Sequence, residues 1–203
     1  MSPPCTVRPR VPCRPLDSPV ISAARLAVEF HLKVPRMPPC RVVAADRRQL
    51  AWLAFDALGP RRITVRQRDE YVRDQYRQAA DAAAVFIPGM SVATIAMLRC
   101  AMRQCLKHES AQVLAQEMWR TLVHEHVHLA QSMRPGYRED WLRAELHNLG
   151  QRSRIMPKSR VARYNQVIDD DEIEADAVEE ALDRPGYAVF QWMLIDLIRE
   201  VAQ

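Results

Sequence analysis

Residues 121–131 read TLVHEHVHLAQ, with three histidines and one glutamate in five consecutive positions. This stretch lies inside a segment that the sequence predicts as one long helix, from an N-cap at Ser110 to about Ser132. Pro135 and Gly136 follow and are expected to end the helix. Apolar side chains recur along the segment at helical spacing: Val113, Leu114, Met118, Leu122, Val123, Val127 and Ala130. The histidines therefore belong to an amphipathic helix.

Two of these histidines are spaced so that they can share a cation. Residues four apart lie on the same face of a helix, which brings the imidazoles of His124 and His128 together. Glu125 follows the first of them, where its carboxylate can reach a water bound to the metal, and the pattern is H-E-x-x-H. We expect the side chain of His126 to point elsewhere. The alternative interpretation is a surface helix that carries histidines by chance.

Zinc suits this arrangement chemically. When two imidazoles and a third protein ligand hold zinc, one position stays open for water. The metal lowers the pKa of that water to about 7, and a neighbouring carboxylate can take its proton. We therefore expect Glu125 to activate a zinc-bound water for attack on a carbonyl, and then to pass the proton to the leaving amine. The predicted reaction is hydrolysis of a peptide bond.

A third ligand is expected from the acidic segment 169–182, which reads DDDEIEADAVEEAL. Glu172 and Asp176 are one helical turn apart in this segment and form E-x-x-x-D. The spacing allows Glu172 to bind the metal while Asp176 accepts an N–H from a ligating histidine and so fixes the orientation of the ring. Glu174, on the other side of the helix from Glu172, remains an alternative ligand. The segment is also compatible with a solvated acidic helix.

These motifs resemble those of a known group of enzymes. An H-E-x-x-H helix that follows a small sheet and precedes a helical region with E-x-x-A-D is similar to the gluzincin branch of the zincin metallopeptidases. EIEAD resembles the third-ligand motif of the prenyl-protein and heat-shock zinc proteases, and also the E-x-E-A-N motif of small regulatory peptidases that cut phage-type repressors. The resemblance covers roughly residues 84–182. It implies a zincin-like fold, bound Zn2+, Glu172 as a zinc ligand and Asp176 as a hydrogen-bond partner of a ligand.

The sequence also departs from these families. The interval from His128 to Glu172 is 44 residues, longer than in thermolysin-like enzymes, and Arg134 occupies the position of the third histidine of metzincins. The transmembrane helices of the membrane zinc proteases are missing. His147, 19 residues after His128, would as a third ligand resemble SprT-like proteases that act on protein–DNA crosslinks, although Asn148 stands where those proteins have glycine. A DNA-associated protease is therefore one alternative.

A second alternative comes from another functional class. A zincin-like scaffold could serve a regulatory or binding protein that uses the metal for structure or not at all. Glu125 separates the two hypotheses, because hydrolysis requires a carboxylate at this position and a structural site does not. For a peptidase, three tyrosines are candidates for stabilising the developing oxyanion by a phenolic hydrogen bond: Tyr137, Tyr164 and Tyr187.

The pattern along the chain predicts an α+β, zincin-like fold in which a small mixed β-sheet packs on the long H-E-x-x-H helix, with a helical C-terminal subdomain. We expect strands at 41–45, 63–66, 84–87 and 91–98. The last strand precedes the active-site helix and is the candidate for the edge strand to which zincins add the substrate backbone, with a fully buried strand as the alternative. Helices are expected at 46–58, 68–84, 139–149, 159–168, 170–183 and 187–202. The pattern over 22–34 fits either a helix or a strand.

This organisation corresponds to one domain. Residues 1–19 are rich in proline and arginine and are predicted to form a disordered arm. Residues 20–203 are predicted to form a single metallopeptidase domain, with the sheet and active-site helix at about 41–133 and the helical subdomain at about 139–203. The tryptophans and two methionines are expected in its core: Trp52, Trp119, Trp141, Trp192, Met156 and Met193.

Composition and charge limit the partners and the compartment. The five cysteines are odd in number and include no C-x-x-C pair, which favours reduced thiols and a cytoplasmic location. No secretory signal or membrane span is recognised, so no membrane partner is expected. Residues 1–168 carry 27 Lys and Arg against 14 Asp and Glu, whereas residues 169–203 carry 2 against 11. The basic part leaves a nucleic-acid partner open, but the expected partner is a protein or peptide substrate. The oligomeric state is not indicated.

Overall fold

The computed structural model describes residues 12–59, 63–89, 91–152 and 158–203, which form a mostly helical α+β fold. The predicted α+β class with a small sheet is thereby confirmed. In chain order the elements are β1 (Arg14–Pro15), α1 (Pro19–His31), β2 (Cys40–Ala45), α2 (Arg47–Ala57), α3 (Val65–Gln78), β3 (Ala84–Ile87), β4 (Ala93–Leu98), α4 (Arg99–His108), α5 (Ala111–Gln131), α6 (Tyr137–Arg152) and α7 (Lys158–Ala202).

The described strands form one mixed sheet in the order β1-β2-β4-β3. β4 pairs in parallel with β2 and antiparallel with β3, whereas β1 pairs antiparallel with the other side of β2. β4 is therefore an interior strand, and the prediction that the segment 91–98 lies at the edge is wrong. The edge on this side of the sheet is β3, which reaches that position through a hairpin with β4.

Two helix starts show where local sequence decides the structure. The side-chain oxygen of Ser110 accepts the backbone N–H of Val113 and begins α5, as predicted. The segment 63–66, predicted as a strand, instead leads into α3, so that prediction is wrong. Thr64 accepts the backbone N–H of Gln67, and the Gln67 side chain accepts the backbone N–H of Thr64. This capping box outweighs the β-branched composition that suggested a strand.

The prediction of a disordered arm over residues 1–19 extends too far along the chain. Arg14 and Pro15 pair with β2, and the backbone N–H of Leu16 donates to the carbonyl of Val42 at 2.9 Å. Leu16 lies in the core, with 7% of its surface exposed. A helix, α1, begins at Pro19 and occupies most of the segment that fitted either a helix or a strand. Residues 1–11 of the predicted arm lie outside the described part of the chain.

Helices α5 and α7 pack on each other and carry much of the core. Trp119 of α5 stacks on Phe190 of α7, and its indole N–H donates to the carbonyl of Leu182 at 2.9 Å. The sequence predicted three helices over this C-terminal region, whereas the structure has the single helix α7. Pro185 locally disfavours a helix interior. Core residues on both sides of it, such as Val178 and Leu194, nevertheless belong to the same hydrophobic cluster.

The core prediction fails for two residues near the end of α7. Trp192 is 73% exposed and Met193 is 42% exposed. The buried stripe of this helix is offset from both of them and consists of Leu194, Ile195, Leu197, Ile198 and Val201. Trp119 is buried as predicted, whereas Trp52 and Trp141 are half-buried. Met156 lies outside the described residues.

Within the described ranges, no helix has both the length and the apolar character that crossing a membrane requires.

Candidate metal centre

The structure brings three of the predicted site residues together. His124 and His128 lie one turn apart on α5, and their Nε2 atoms are 3.1 Å from each other. Glu172 reaches them from α7. Its Oε2 is 3.1 Å from Nε2 of His124, and its Oε1 is 3.4 Å from Nε2 of His128. Two elements far apart in sequence thus direct two imidazoles and one carboxylate to a common point.

The outer nitrogens of both rings face side-chain oxygens. Nδ1 of His124 faces Asp176 Oδ1 at 3.3 Å and Glu179 Oε2 at 3.3 Å. Ionised carboxylates only accept hydrogen bonds, so Nδ1 of this ring carries the proton. Nδ1 of His128 faces the amide oxygen of Gln131 at 2.8 Å. Asp176 therefore lies where the sequence predicted it, while Glu179 and Gln131 were not anticipated.

With both Nδ1 atoms protonated, neutral imidazoles would turn two Nε2 lone pairs toward the carboxylate of Glu172. Three such acceptors repel each other unless a proton or a metal ion lies between them. Ligands about 2.0–2.1 Å from a tetrahedral zinc ion lie roughly 3.3 Å apart. The Nε2–Nε2 separation of 3.1 Å and the 3.1 Å from Nε2 of His124 to Oε2 of Glu172 are close to that value, whereas the 3.4 Å contact to His128 is made by the other oxygen, Oε1. The residues therefore fit a zinc ion.

The electrostatics of these side chains also favour positive charge at this point. Burial lowers the pKa of His124, but the facing carboxylates, Glu172 first among them, outweigh it and raise the pKa to about 9. Hydrogen bonds from His124 and His128 hold the pKa of Glu172 far below its usual range. Both shifts have the sign expected where a carboxylate and two imidazoles surround a site for a cation.

Glu125 adjoins this group but is held differently. It is buried, with 6% of its surface exposed, and its Oε2 has no hydrogen-bond partner. Burial raises the pKa of its carboxyl, although the imidazoles of His128 and His124 and a backbone hydrogen bond from Phe86 oppose that rise. An unpartnered carboxylate oxygen in a buried position is costly. Such an atom is available to a water or substrate that enters the cleft.

A cleft of about 410 Å³ opens over these residues. One wall is the edge strand β3, through Ala84, Val85 and Phe86. The facing wall is the first part of α6, whose lining residues are spaced along one helical face: Tyr137, Asp140, Trp141 and Glu145. The candidate metal ligands and Glu125 line the same cleft. A bound chain would thus meet an open strand edge, a carboxylate and the candidate metal group together.

Three tyrosines were predicted as alternatives for stabilising an oxyanion. Tyr137 lines the cleft, and burial raises the pKa of its hydroxyl, with Asp171 and Glu172 adding to the effect. A phenol in this state remains protonated and can donate a hydrogen bond at neutral pH. The side chains of Tyr164 and Tyr187 lie outside the described residues.

The other candidate ligands have different partners. The carboxylate of Glu174 accepts hydrogen bonds from Gln131 and Arg134. His147 contacts the backbone carbonyl of Arg143 through Nδ1 at 2.7 Å. Among the described side chains, neither residue belongs to a group of His, Cys, Asp and Glu atoms close enough to share a metal ion.

His126 turns away from the site, in agreement with its position on the helix. Its Nδ1 contacts the backbone carbonyl of Leu122 at 2.6 Å, and the ring is buried. Burial lowers its pKa to about 4, so the ring is neutral at pH 7. It is a residue of the interior of the protein.

Sequence reasoning missed the residues that surround the ligands. Gln131 follows His128 by three positions, a spacing that puts its side chain near the ring, and this signal was present in the sequence. Glu179 follows Asp176 by three positions in the same way. The edge position of β3 could not be predicted from its own sequence, because strand order depends on pairing between distant segments. In comparisons with known proteins, the chain matched no family, no curated protein and no solved structure.

Proposed function

We propose that this protein is a zinc-dependent metallopeptidase that hydrolyses a peptide bond in a protein or peptide. The observation that carries the proposal is the convergence of His124, His128 and Glu172 beside the buried, unpartnered Oε2 of Glu125. The zincin-like character of the fold is part of the same proposal.

The donor set supports zinc rather than a harder cation. Two imidazole nitrogens and one carboxylate form the ligand set of several catalytic zinc sites, which leave a further position for water or substrate. His124, His128 and Glu172 would hold the ion, with the carboxylates of Asp176 and Glu179 facing Nδ1 of His124. When bound, zinc would polarise the scissile carbonyl and make water more acidic.

Glu125 has the position and environment of a general base. Its burial disfavours the charged form, which makes the carboxylate a stronger proton acceptor than one in water. It would take a proton from the attacking water and return it to the nitrogen of the leaving amine. The unpartnered Oε2 is the atom that would carry this proton.

The cleft is suited to an extended peptide. Among the described strands β3 pairs only with β4, so an extended peptide could add along its other side, except at the Phe86 N–H, which already donates to Glu125. Three consecutive residues of β3 line the cleft, which places such a strand beside Glu125. Tyr137, on the opposite wall, would donate its hydroxyl hydrogen to the oxyanion that develops during attack.

Paired variants test the assigned roles. In Glu125→Gln, zinc should stay bound and hydrolysis of a peptide library should fall by roughly 10²–10⁴-fold, because only the proton acceptor is lost. In Glu172→Gln, zinc affinity should fall, and added zinc should restore activity. Glu180→Gln, at an exposed position of α7, is the matched control and should behave as the wild type.

Two outcomes would contradict the proposal. If Glu125→Gln loses its zinc while Glu172→Gln retains it, the roles are assigned wrongly. If the wild type binds zinc but cleaves no member of the library, the result favours a regulatory or binding protein on this scaffold.

A further inference from the structure

A single amide side chain joins the two helices that carry the candidate ligands. Gln131, the last residue of α5, is buried, with 2% of its surface exposed. Its Oε1 is 2.8 Å from Nδ1 of His128. Its Nε2 is 2.8 Å from the backbone carbonyl oxygen of Asp171 and 2.9 Å from Oε2 of Glu174. We propose that Gln131 is a positioning residue for the metal centre, an inference that rests on the proposed zinc site.

The orientation of the amide follows from its partners on α7. A backbone carbonyl can only accept a hydrogen bond, and so can an ionised carboxylate. The atom of Gln131 that faces Asp171 and Glu174 must therefore be the NH2 group, and the atom that faces His128 must be the oxygen. Since that oxygen can only accept, Nδ1 of His128 must donate. A carbonyl on α7 thus determines the tautomer of a ring on α5, and the lone pair of His128 is left on Nε2, toward His124 and Glu172.

The same amide also fixes the position of Glu172 relative to α5. Its hydrogen bond goes to the carbonyl of Asp171, the residue immediately before Glu172. Arg134 reinforces this turn of α7, because its guanidinium pairs with Asp171 at 2.7 Å and also with Glu174. Gln131 therefore acts on two ligands at once, through the ring orientation of one and the backbone position of the other.

Burial makes this role difficult to replace. Water has little access to a side chain at 2% exposure, so removal of the amide would leave the Nδ1–H of His128 without a partner and take one hydrogen bond from the Asp171 carbonyl. Hydrogen-bond partners behind metal-binding histidines typically contribute 10–100-fold to metal affinity. An effect of this size is expected here.

Two variants perturb these contacts in different ways. Gln131→Met keeps the length of the side chain and removes both hydrogen bonds. Gln131→Glu keeps an acceptor for His128 but cannot donate to Asp171, and it places a second carboxylate beside Glu174. Both should lower zinc affinity about 10–100-fold in competition with a chelator. Both should also change the visible spectrum of the Co2+-substituted protein, which reports the arrangement of the ligands.

A matched control distinguishes positioning from general stability. Gln116 also lies on α5 and donates to α7, through Nε2 to Oδ2 of Asp183 at 2.7 Å, but it is 15 residues before Gln131. Gln116→Glu should lower the melting temperature, because it puts two carboxylates together, while zinc affinity and the Co2+ spectrum stay unchanged. This control also keeps the test valid if the Gln131 variants are less stable.

The results separate this inference from the proposed peptidase function. Zinc affinity and a Co2+ spectrum of Gln131→Met equal to those of the wild type would overturn the role of Gln131, whatever the activity. Altered affinity and spectrum would support it even if the wild type cleaves no peptide, in which case the peptidase proposal fails alone. A wild-type protein that binds neither Zn2+ nor Co2+ would overturn both.

Discussion

Replacement of Glu125 by glutamine should stabilise the metal-free protein. The carboxylate is 6% exposed, and its Oε2 has no hydrogen-bond partner. An unsatisfied buried polar group costs about 1–3 kcal/mol, and more when it is charged. Glutamine has nearly the same shape, and its oxygen can keep the hydrogen bond from the backbone of Phe86. The amide nitrogen would also lack a partner, but a neutral group costs less to bury than an ionised carboxylate, so the free energy of unfolding should rise by at least about 1 kcal/mol.

Chemical denaturation of the chelator-treated protein at pH 8 measures this difference. For a domain of this size, 1 kcal/mol corresponds to roughly 2–4 °C in melting temperature, so a thermal scan should show a rise of at least about 2 °C. Glu172→Gln is the control, because Glu172 receives hydrogen bonds from two imidazoles and its replacement should lower stability. If metal-free Glu125→Gln is no more stable than the wild type, the buried carboxylate does not destabilise the folded protein. Its unpartnered oxygen would then give no support to the role of Glu125 as a general base.

Two further predictions concern the N-terminal strand and the cleft. Leu16→Ala should lower the free energy of unfolding by about 2–5 kcal/mol in urea, because Leu16 is 7% exposed and packs in the main core; an unchanged midpoint would show that this segment is not docked. Tyr137→Phe should reduce kcat about 10²–10³-fold while zinc content stays constant. Full activity of that variant would exclude Tyr137 as the oxyanion donor.

Much of the candidate site could be predicted from local spacing alone. His124 and His128 share a helical face whatever the rest of the fold does, and the N-cap at Ser110 fixes the start of that helix. Glu172 was predicted as the third ligand from its own E-x-x-x-D turn. The structure brings it to within 3.4 Å of both imidazole Nε2 atoms, although 44 residues separate it from His128.

What could not be predicted depends on contacts between distant segments. The strand order puts β3 rather than β4 at the edge, and no residue within either strand encodes that choice. The pairing of Arg14–Pro15 with β2 was not predicted, because the composition of this segment is typical of disordered segments. The continuity of α7 was not predicted because proline is typical of a helix end, whereas core residues before and after Pro185 belong to one hydrophobic cluster.

Metal analysis of the purified protein shows whether α5 and α7 hold one metal ion between them. After dialysis against zinc and removal of free metal, elemental analysis should give one zinc per chain for the wild type. It should give substantially less for His128→Ala, because the site would keep only His124 and Glu172 as ligands. One zinc per chain in the wild type with loss in His128→Ala is the predicted result. Full zinc occupancy in His128→Ala would contradict it and would show that the metal is bound elsewhere.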